Sequence, residues 1–317
     1  MGLLTFRGVA ALVGAAALLG GCRGAAAPVA PLPTPLPVAV ATEPAGEDAD
    51  DPAIWVNRAH PEASRVFATN KTAAPAGALV SYDLAGRVQQ RIEGLDRPNN
   101  VDVEYGLQLG GQAVDIAVVT ERYQKRLRAF RVGPDGALTD VSAPDGLRVF
   151  VGEPGERGAP MGVGLFRRPS DGAVFAFVSR KESPAVGTLW QYRLEDDGSG
   201  RVRAVKVREL GTITLGSEVE AIAVDDALGL VYYAEEPRAI HEWPANPDDP
   251  RASTEIGQLG RAGFQGDREG LAVYARPDGS GFLLASDQLP GVSRYVVFRR
   301  GARDAPRDSS VVRVLEG

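Results

Sequence analysis

Cysteine is almost missing from this chain. Its 317 residues hold one, Cys22, so there is no disulfide framework, no thiolate metal site and no thiol nucleophile in the body of the protein. Histidine is nearly as scarce: His60 precedes a proline and His241 lies in an aromatic, strand-like stretch. A transition-metal centre that draws on several imidazoles is therefore disfavoured. Positive charge is not in excess, with 35 Lys and Arg against 41 Asp and Glu and a formal net charge of −6. That argues against nucleic acid as a partner. An acidic protein still accepts a polyanion where a cation mediates or where basic groups are concentrated locally. No apolar run is long enough to span a bilayer as a permanent helix.

The N-terminal stretch reads as an address. Arg7 gives a weak positive start, Gly8 to Leu18 is small and apolar, and Leu19-Gly20-Gly21-Cys22 follows. This is a secretory signal, and its last four residues are similar to a bacterial lipobox, in which the cysteine is lipidated and becomes the new N-terminus. The alternative is an ordinary cleaved signal with an incidental cysteine. Pro28, Pro31, Pro33, Pro35, Pro37 and Pro44 then punctuate Ala and Val. That segment reads as a semi-rigid spacer holding a folded domain away from a membrane. The expected organisation is signal peptide with lipobox at 1–22, linker at 23–45 and one folded domain at 46–317. The expected location is across the inner membrane, anchored by lipid to a bacterial cell membrane (outer membrane or periplasm in a Gram-negative cell). The lipid is the only membrane contact expected, and the protein is expected to be a monomer.

The domain consists of short apolar runs alternating with polar residues, among them Ala53-Ile54-Trp55-Val56, Asp115-Ile116-Ala117-Val118-Val119 and Val174-Phe175-Ala176-Phe177-Val178, separated by Gly, Pro, Asn and Asp. These are strands, and an all-β domain with closely spaced turns is a sandwich, barrel or propeller. A repeat decides between them. Five strands enter through polar or glycine-containing turns: Asp51-Pro52-Ala53-Ile54-Trp55-Val56, Asn99-Asn100-Val101-Asp102-Val103, Met161-Gly162-Val163-Gly164-Leu165-Phe166, Glu218-Val219-Glu220-Ala221-Ile222 and Arg268-Glu269-Gly270-Leu271-Ala272. Each is followed by a second strand with a polar exit, Thr69-Asn70-Lys71, Thr120-Glu121-Arg122, Ser179-Arg180-Lys181, Ala234-Glu235-Glu236 and Ser286-Asp287-Gln288, and then by a third strand bearing an aromatic residue. The period of roughly 50 to 60 residues suits a four-stranded propeller blade.

Equivalent positions of successive blades lie on a ring around one axis. The entry residues Asp50, Asp51, Asn99, Asn100, Asp102, Glu218, Glu220, Asp267 and Glu269 should form one ring. The exit residues Lys71, Arg122, Lys181, Glu236 and Asp287 should form another. An up-down strand pair puts both rings at the same end of the channel. Carboxylates packed there repel one another without counter-ions, and hard oxygen donors at that density suit calcium. The competing reading is a set of solvated acids that cap turns one by one. Lys71, Arg122 and Lys181 come from the first three units and Glu220, Glu236, Asp267 and Glu269 from the last two, so the site has a basic and an acidic side. That pairing suits a phosphate ester, with Arg and Lys on the phosphate oxygens and a metal activating water. A phosphohistidine phosphatase needs an Arg-His-Gly context, which is lacking, and a cysteine-dependent one is excluded.

Asp48-Ala49-Asp50-Asp51-Pro52-Ala53-Ile54-Trp55 resembles the D-A-x-D-D-P-A-[ILV]-W motif of β-propeller phytases. Asn99-Asn100-Val101-Asp102 through Tyr105-Gly106, Glu220 through Asp225-Asp226 to Ala234-Glu235-Glu236, and Asp267-Arg268-Glu269-Gly270-Leu271 resemble further motifs of that family. The resemblance runs from about residue 45 to 300. It implies an all-β, six-bladed propeller that hydrolyses phosphate monoesters of phytate (myo-inositol hexakisphosphate) with several Ca2+ ions, taking calcium phytate as substrate. It further implies calcium ligands at Asp51, Glu220, Glu236, Asp267 and Glu269, joined here by Asp50 and Asp102 of the entry ring. Phosphate contacts are implied at Lys71, Arg122 and Lys181, and Glu220, Asp267 and Glu269 are the candidate catalytic residues. The chain departs from the family at Met161, where a tyrosine is usual, at Ala221 in place of glycine, and at Arg268 between two acids. A sixth blade is expected to be incomplete, since the sequence shows only the weak strand Val311-Val312-Arg313-Val314 beyond the fifth unit. Two other readings stay open: a calcium-binding propeller without catalysis that binds a polyanion or a protein, and a calcium-dependent lactonase, which has no use for a phosphate clamp.

Overall fold

The computed structural model describes residues 36–301 and 310–316; Cys22 and the signal segment lie outside them. The described chain is built from strands with two short 3-10 turns, and none of its helices is long and apolar enough to cross a membrane. Twenty strands form five four-stranded antiparallel sheets, each in plain sequence order. Blade 1 holds β1 (Ala49–Trp55), β2 (Arg65–Asn70), β3 (Gly77–Tyr82) and β4 (Val88–Leu95). Blade 2 holds β5 (Pro98–Leu109), β6 (Gln112–Glu121), β7 (Arg126–Val132) and β8 (Leu138–Asp140). Blade 3 holds β9 (Pro160–Arg167), β10 (Val174–Arg180), β11 (Val186–Asp196) and β12 (Val202–Thr212). Blade 4 holds β13 (Ile222–Asp225), β14 (Leu230–Glu235), β15 (Ala239–Pro244) and β16 (Gly257–Leu259). Blade 5 holds β17 (Leu271–Ala275), β18 (Gly281–Leu289), β19 (Val292–Arg299) and β20 (Val311–Glu316).

Burial follows position in the blade. The second strand of blade 3 is covered on both faces by neighbouring blades, so β10 is buried at every residue of its apolar run and needs no alternation, whereas β2 and β18 of the end blades are buried only in part. The outer strands β4 and β12 alternate with solvent and carry Gln, Arg, Glu and Lys. Four apolar clusters fill the four blade-to-blade interfaces. Trp55, Phe67 and Leu79 meet Val101, Ala117 and Phe130 between blades 1 and 2. Val118 and Leu127 meet Leu165 and Ala176 between blades 2 and 3. Phe175 and Leu189 meet Val231 and Trp243 between blades 3 and 4, and Tyr232 and Ile240 meet Leu283 and Phe298 between blades 4 and 5. The N-terminal stretch joins the ends of the series: Leu36 N–H donates to Glu316 O of β20 at 2.8 Å, Glu43 N–H donates to Gly86 O at 2.8 Å, and Ala45 packs on Ala78, Val80 and Tyr82 of β3.

The count of blades corrects the expectation of an incomplete sixth. Among the described residues there are five complete sheets. The strand at Val311 is not the start of a further blade: it pairs antiparallel with β19, from Arg294 opposite Glu316 to Phe298 opposite Val311. An otherwise unpaired β19 edge and burial of Val314 account for that placement.

Candidate active site at the channel mouth

The inner strands β1, β5, β9, β13 and β17 all begin at one end of the axis, and the second strands return to it. Ala49 pairs with Asn70, Pro98 with Glu121 and Pro160 with Arg180, so the entry and exit residues share one mouth. A repeated clip fixes that end. Thr69 Oγ1 accepts the Asp51 N–H at 3.2 Å and donates to Asn99 O of the next blade at 2.7 Å. Thr120 does the same between Asn100 N–H and Met161 O, at 3.0 and 2.6 Å, and Ser179 between Gly162 N–H and Val219 O, at 2.8 and 2.6 Å. Gly162 serves a second purpose: a Cβ there would lie 2.0 Å from Glu220 O, so only glycine lets the Glu220 backbone come this close.

The basic and acidic sides meet directly. Lys71 Nζ lies 2.5 Å from Asp50 Oδ1 and 3.8 Å from Glu220 Oε1. Asn99 is the hub: its Nδ2 donates to Glu220 Oε1 and, at 2.9 Å, to Asn100 Oδ1, while its Oδ1 accepts from Arg122 Nη2. Lys181 Nζ pairs with Glu218 Oε2 at 2.5 Å. Glu220, Glu236 and Glu269 each bring a carboxylate oxygen within 4.8 Å of the others. Asp267 belongs to the same electrostatic group, because its charge acts on both Glu236 and Glu269. Glu269 of the last blade in turn feels Lys71 and Asp50 of the first.

The acids at this mouth resist ionisation. Burial, then Glu269, Glu218, Glu220 and Asp267, push Glu236 up to about 8, and one of its oxygens is buried with no hydrogen-bond partner. Burial and Asp267 also raise Glu269. Burial raises Asp50 to about 6 against the pull of its Lys71 hydrogen bond. Burial opposes the charge on Lys71, but Asp50 and Glu220 outweigh it and hold the lysine above its ordinary value. Three converging carboxylates, one with an orphaned oxygen, could hold a hard cation, which would offset the repulsion that raises Glu236 and Glu269.

Two acids of the expected rings, Asp102 and Asp287, are not brought into this group, and Asp51 stands at its edge, where the charges of Asp50 and Glu220 act on it. Asp51 turns toward blade 2, where its Oδ2 accepts the Val101 N–H at 3.0 Å; burial pushes it up to about 8. Asp102 repeats the arrangement one blade on, accepting Leu165 N–H at 2.7 Å and Val103 N–H at 2.7 Å, and burial raises it to about 7. It lines a cavity of 1430 Å³ along the inner strands together with Glu104 and Asp226. Asp287 is fully buried in blade 5, held by Arg294 at 2.6 Å and by the N–H groups of Gln265 and Gly266. Arg268, between two acids in sequence, turns away to Gly260 O and Glu236 O. His241 is held between Glu255 at 2.9 Å and Glu235 at 3.1 Å in blade 4. Met161 is buried in β9.

A model of the family described as Phytase matches residues 33–312. Over 264 residues the chain is 33% identical to the curated 3-phytase of Bacillus subtilis (strain 168), covering 82% of this chain and 64% of that protein. The chain thus spans less than two thirds of that relative's length. Among solved structures it is similar to a candidate 6-phosphogluconolactonase from Bacteroides fragilis, with a TM-score of 0.53 and 14% identity over 83% of this chain and 70% of the other. At that identity the likeness shows the fold alone.

Proposed function

The chain belongs to the phytase family, and from that premise we propose that it hydrolyses phosphate monoesters of phytate in a calcium-dependent reaction at the channel mouth. The observation that carries this reading is the acid trio Glu220, Glu236 and Glu269 set beside Lys71, with Arg122 joined to it through Asn99. Calcium fits those residues: the trio would hold it, with Asp50 and Asp267 adjacent. When bound, the ion lowers the pKa of coordinated water and offsets the negative charge of an acidic protein facing a polyanion.

The chain's own residues do the rest. Lys71, Arg122 and Lys181 hold phosphoryl oxygens and stabilise charge as it shifts between them. Asn99 sets the direction of Arg122 and of Glu220 together. In this reading Glu220, Asp267 and Glu269 take a proton from the attacking water. Water attacks directly, because His241 is sequestered between two glutamates and His60 is exposed on blade 1. We also propose that the protein is a monomer tethered by a lipid on Cys22, on the strength of Leu19-Gly20-Gly21-Cys22 and the proline-rich spacer.

The test is phosphate release from phytate in calcium and in excess chelator. Release that requires calcium supports the reading, and full release in chelator contradicts it. Phytate binding without release in saturating calcium favours a propeller that binds its polyanion without catalysis.

A further inference from the structure

Arg97 stands in the two-residue link between β4 and β5, with φ 57°. That left-handed backbone suits glycine or asparagine, and a long side chain carries a cost there. The residue touches both neighbouring exit loops. Its N–H donates to Thr72 O at 3.0 Å and its O accepts the Arg122 N–H at 3.1 Å. Any residue supplies those two bonds, so they do not call for a guanidinium. The guanidinium itself sits beside the site: Nη1 donates to Lys71 O at 3.3 Å, and Cζ lies 5.7 Å from the centre of the Tyr123 ring.

The Nε atoms of both Arg97 and Arg122 are buried without a hydrogen-bond partner. Among the described residues no carboxylate lies within ion-pair distance of Arg97. Arg122 is held below the ordinary arginine value first by burial and next by the like charge of Arg97. Glu220 and Asp50 draw on the charge of Arg122 in the opposite sense, so the guanidinium without an ion-pair partner is that of Arg97; two neighbouring guanidiniums with idle Nε donors suit a further anion, and their forked donors match phosphate oxygens.

We propose that Arg97 is a phosphate-binding residue, forming with Arg122 a two-guanidinium pocket for a phosphate group of the substrate; this rests on the phosphatase reading above. The test uses the full-length, calcium-loaded protein with R97G, R97N and R97K. Inorganic phosphate serves as competitive inhibitor, KM and kcat are measured for phytate, and Tm is measured without phosphate. R97G and R97N fit the left-handed backbone and should leave Tm unchanged while weakening phosphate inhibition and raising KM by about tenfold, the scale of a lost charge-assisted hydrogen bond. kcat should change less, and R97K should recover part of the loss. Unchanged inhibition and KM in R97G and R97N overturn the assignment and leave Arg97 as a loop tie. A wild-type protein that neither releases nor binds phosphate overturns the phosphatase reading as well, so the two failures are distinguishable.

Discussion

Glu236 is pushed up to about 8, with one oxygen that has no partner and four acids around it. Its charge is a burden without a cation and a ligand with one. Glu236→Gln should therefore move two observables in opposite directions. Activity and calcium affinity should fall, by about 10- to 100-fold or more on the scale of altered metal-site shells. The Tm of the metal-free protein at neutral pH should rise. Calorimetric calcium titration and thermal melts in chelator check both. Glu220 and Glu269 were legible in the sequence because repeat phase names the end of the blade at which a residue sits. The direction of a side chain was not. Asp50 and Asp51 are neighbours on β1 where its pairing with β2 is irregular, and they part company: the first meets Lys71 and the second ties blade 1 to blade 2. The position of Asn99 was legible from repeat phase but its bridge from an acid to a base was not, and Arg97 sits in a link between blades, outside the repeat.

At the scale of the strand pairs, the Thr69, Thr120 and Ser179 clips do for adjacent blades what a ladder hydrogen bond does within a sheet. Thr120→Val keeps the volume but leaves the Asn100 N–H and Met161 O unpaired in a buried interface. The expected cost is about 1–3 kcal/mol, read from urea denaturation. It should be larger than that of an exposed outer-strand change such as Gln89→Ala, which should stay within about 0.5 kcal/mol. The strands themselves and their grouping in fours were legible from alternation and repeat. The place of the strand at Val311 was not, because a short amphipathic strand pairs with whichever edge is open, and that edge belonged to blade 5.

Across the whole molecule the raised acids make stability depend on pH in one direction. Glu236 and Asp51 rise to about 8 and Asp102 to about 7, chiefly through burial. Between the ordinary carboxylate range and those values the unfolded chain has released its protons and the folded chain has not. The folded state binds more protons, so stability falls as pH rises through that window. Metal-free protein should lose Tm steadily from about pH 5 to pH 8, and calcium should flatten the decline by stabilising the ionised trio. A metal-free Tm that rises across the window contradicts the burial of these acids. Glu220, Glu236 and Glu269 are proposed to hold a cation beside Lys71 and Arg122. Anomalous scattering from crystals soaked in a lanthanide that replaces calcium locates that ion directly. The expected result is a peak within coordination distance of all three carboxylates. An ordered crystal with no peak there, or with its peaks only elsewhere, would contradict it.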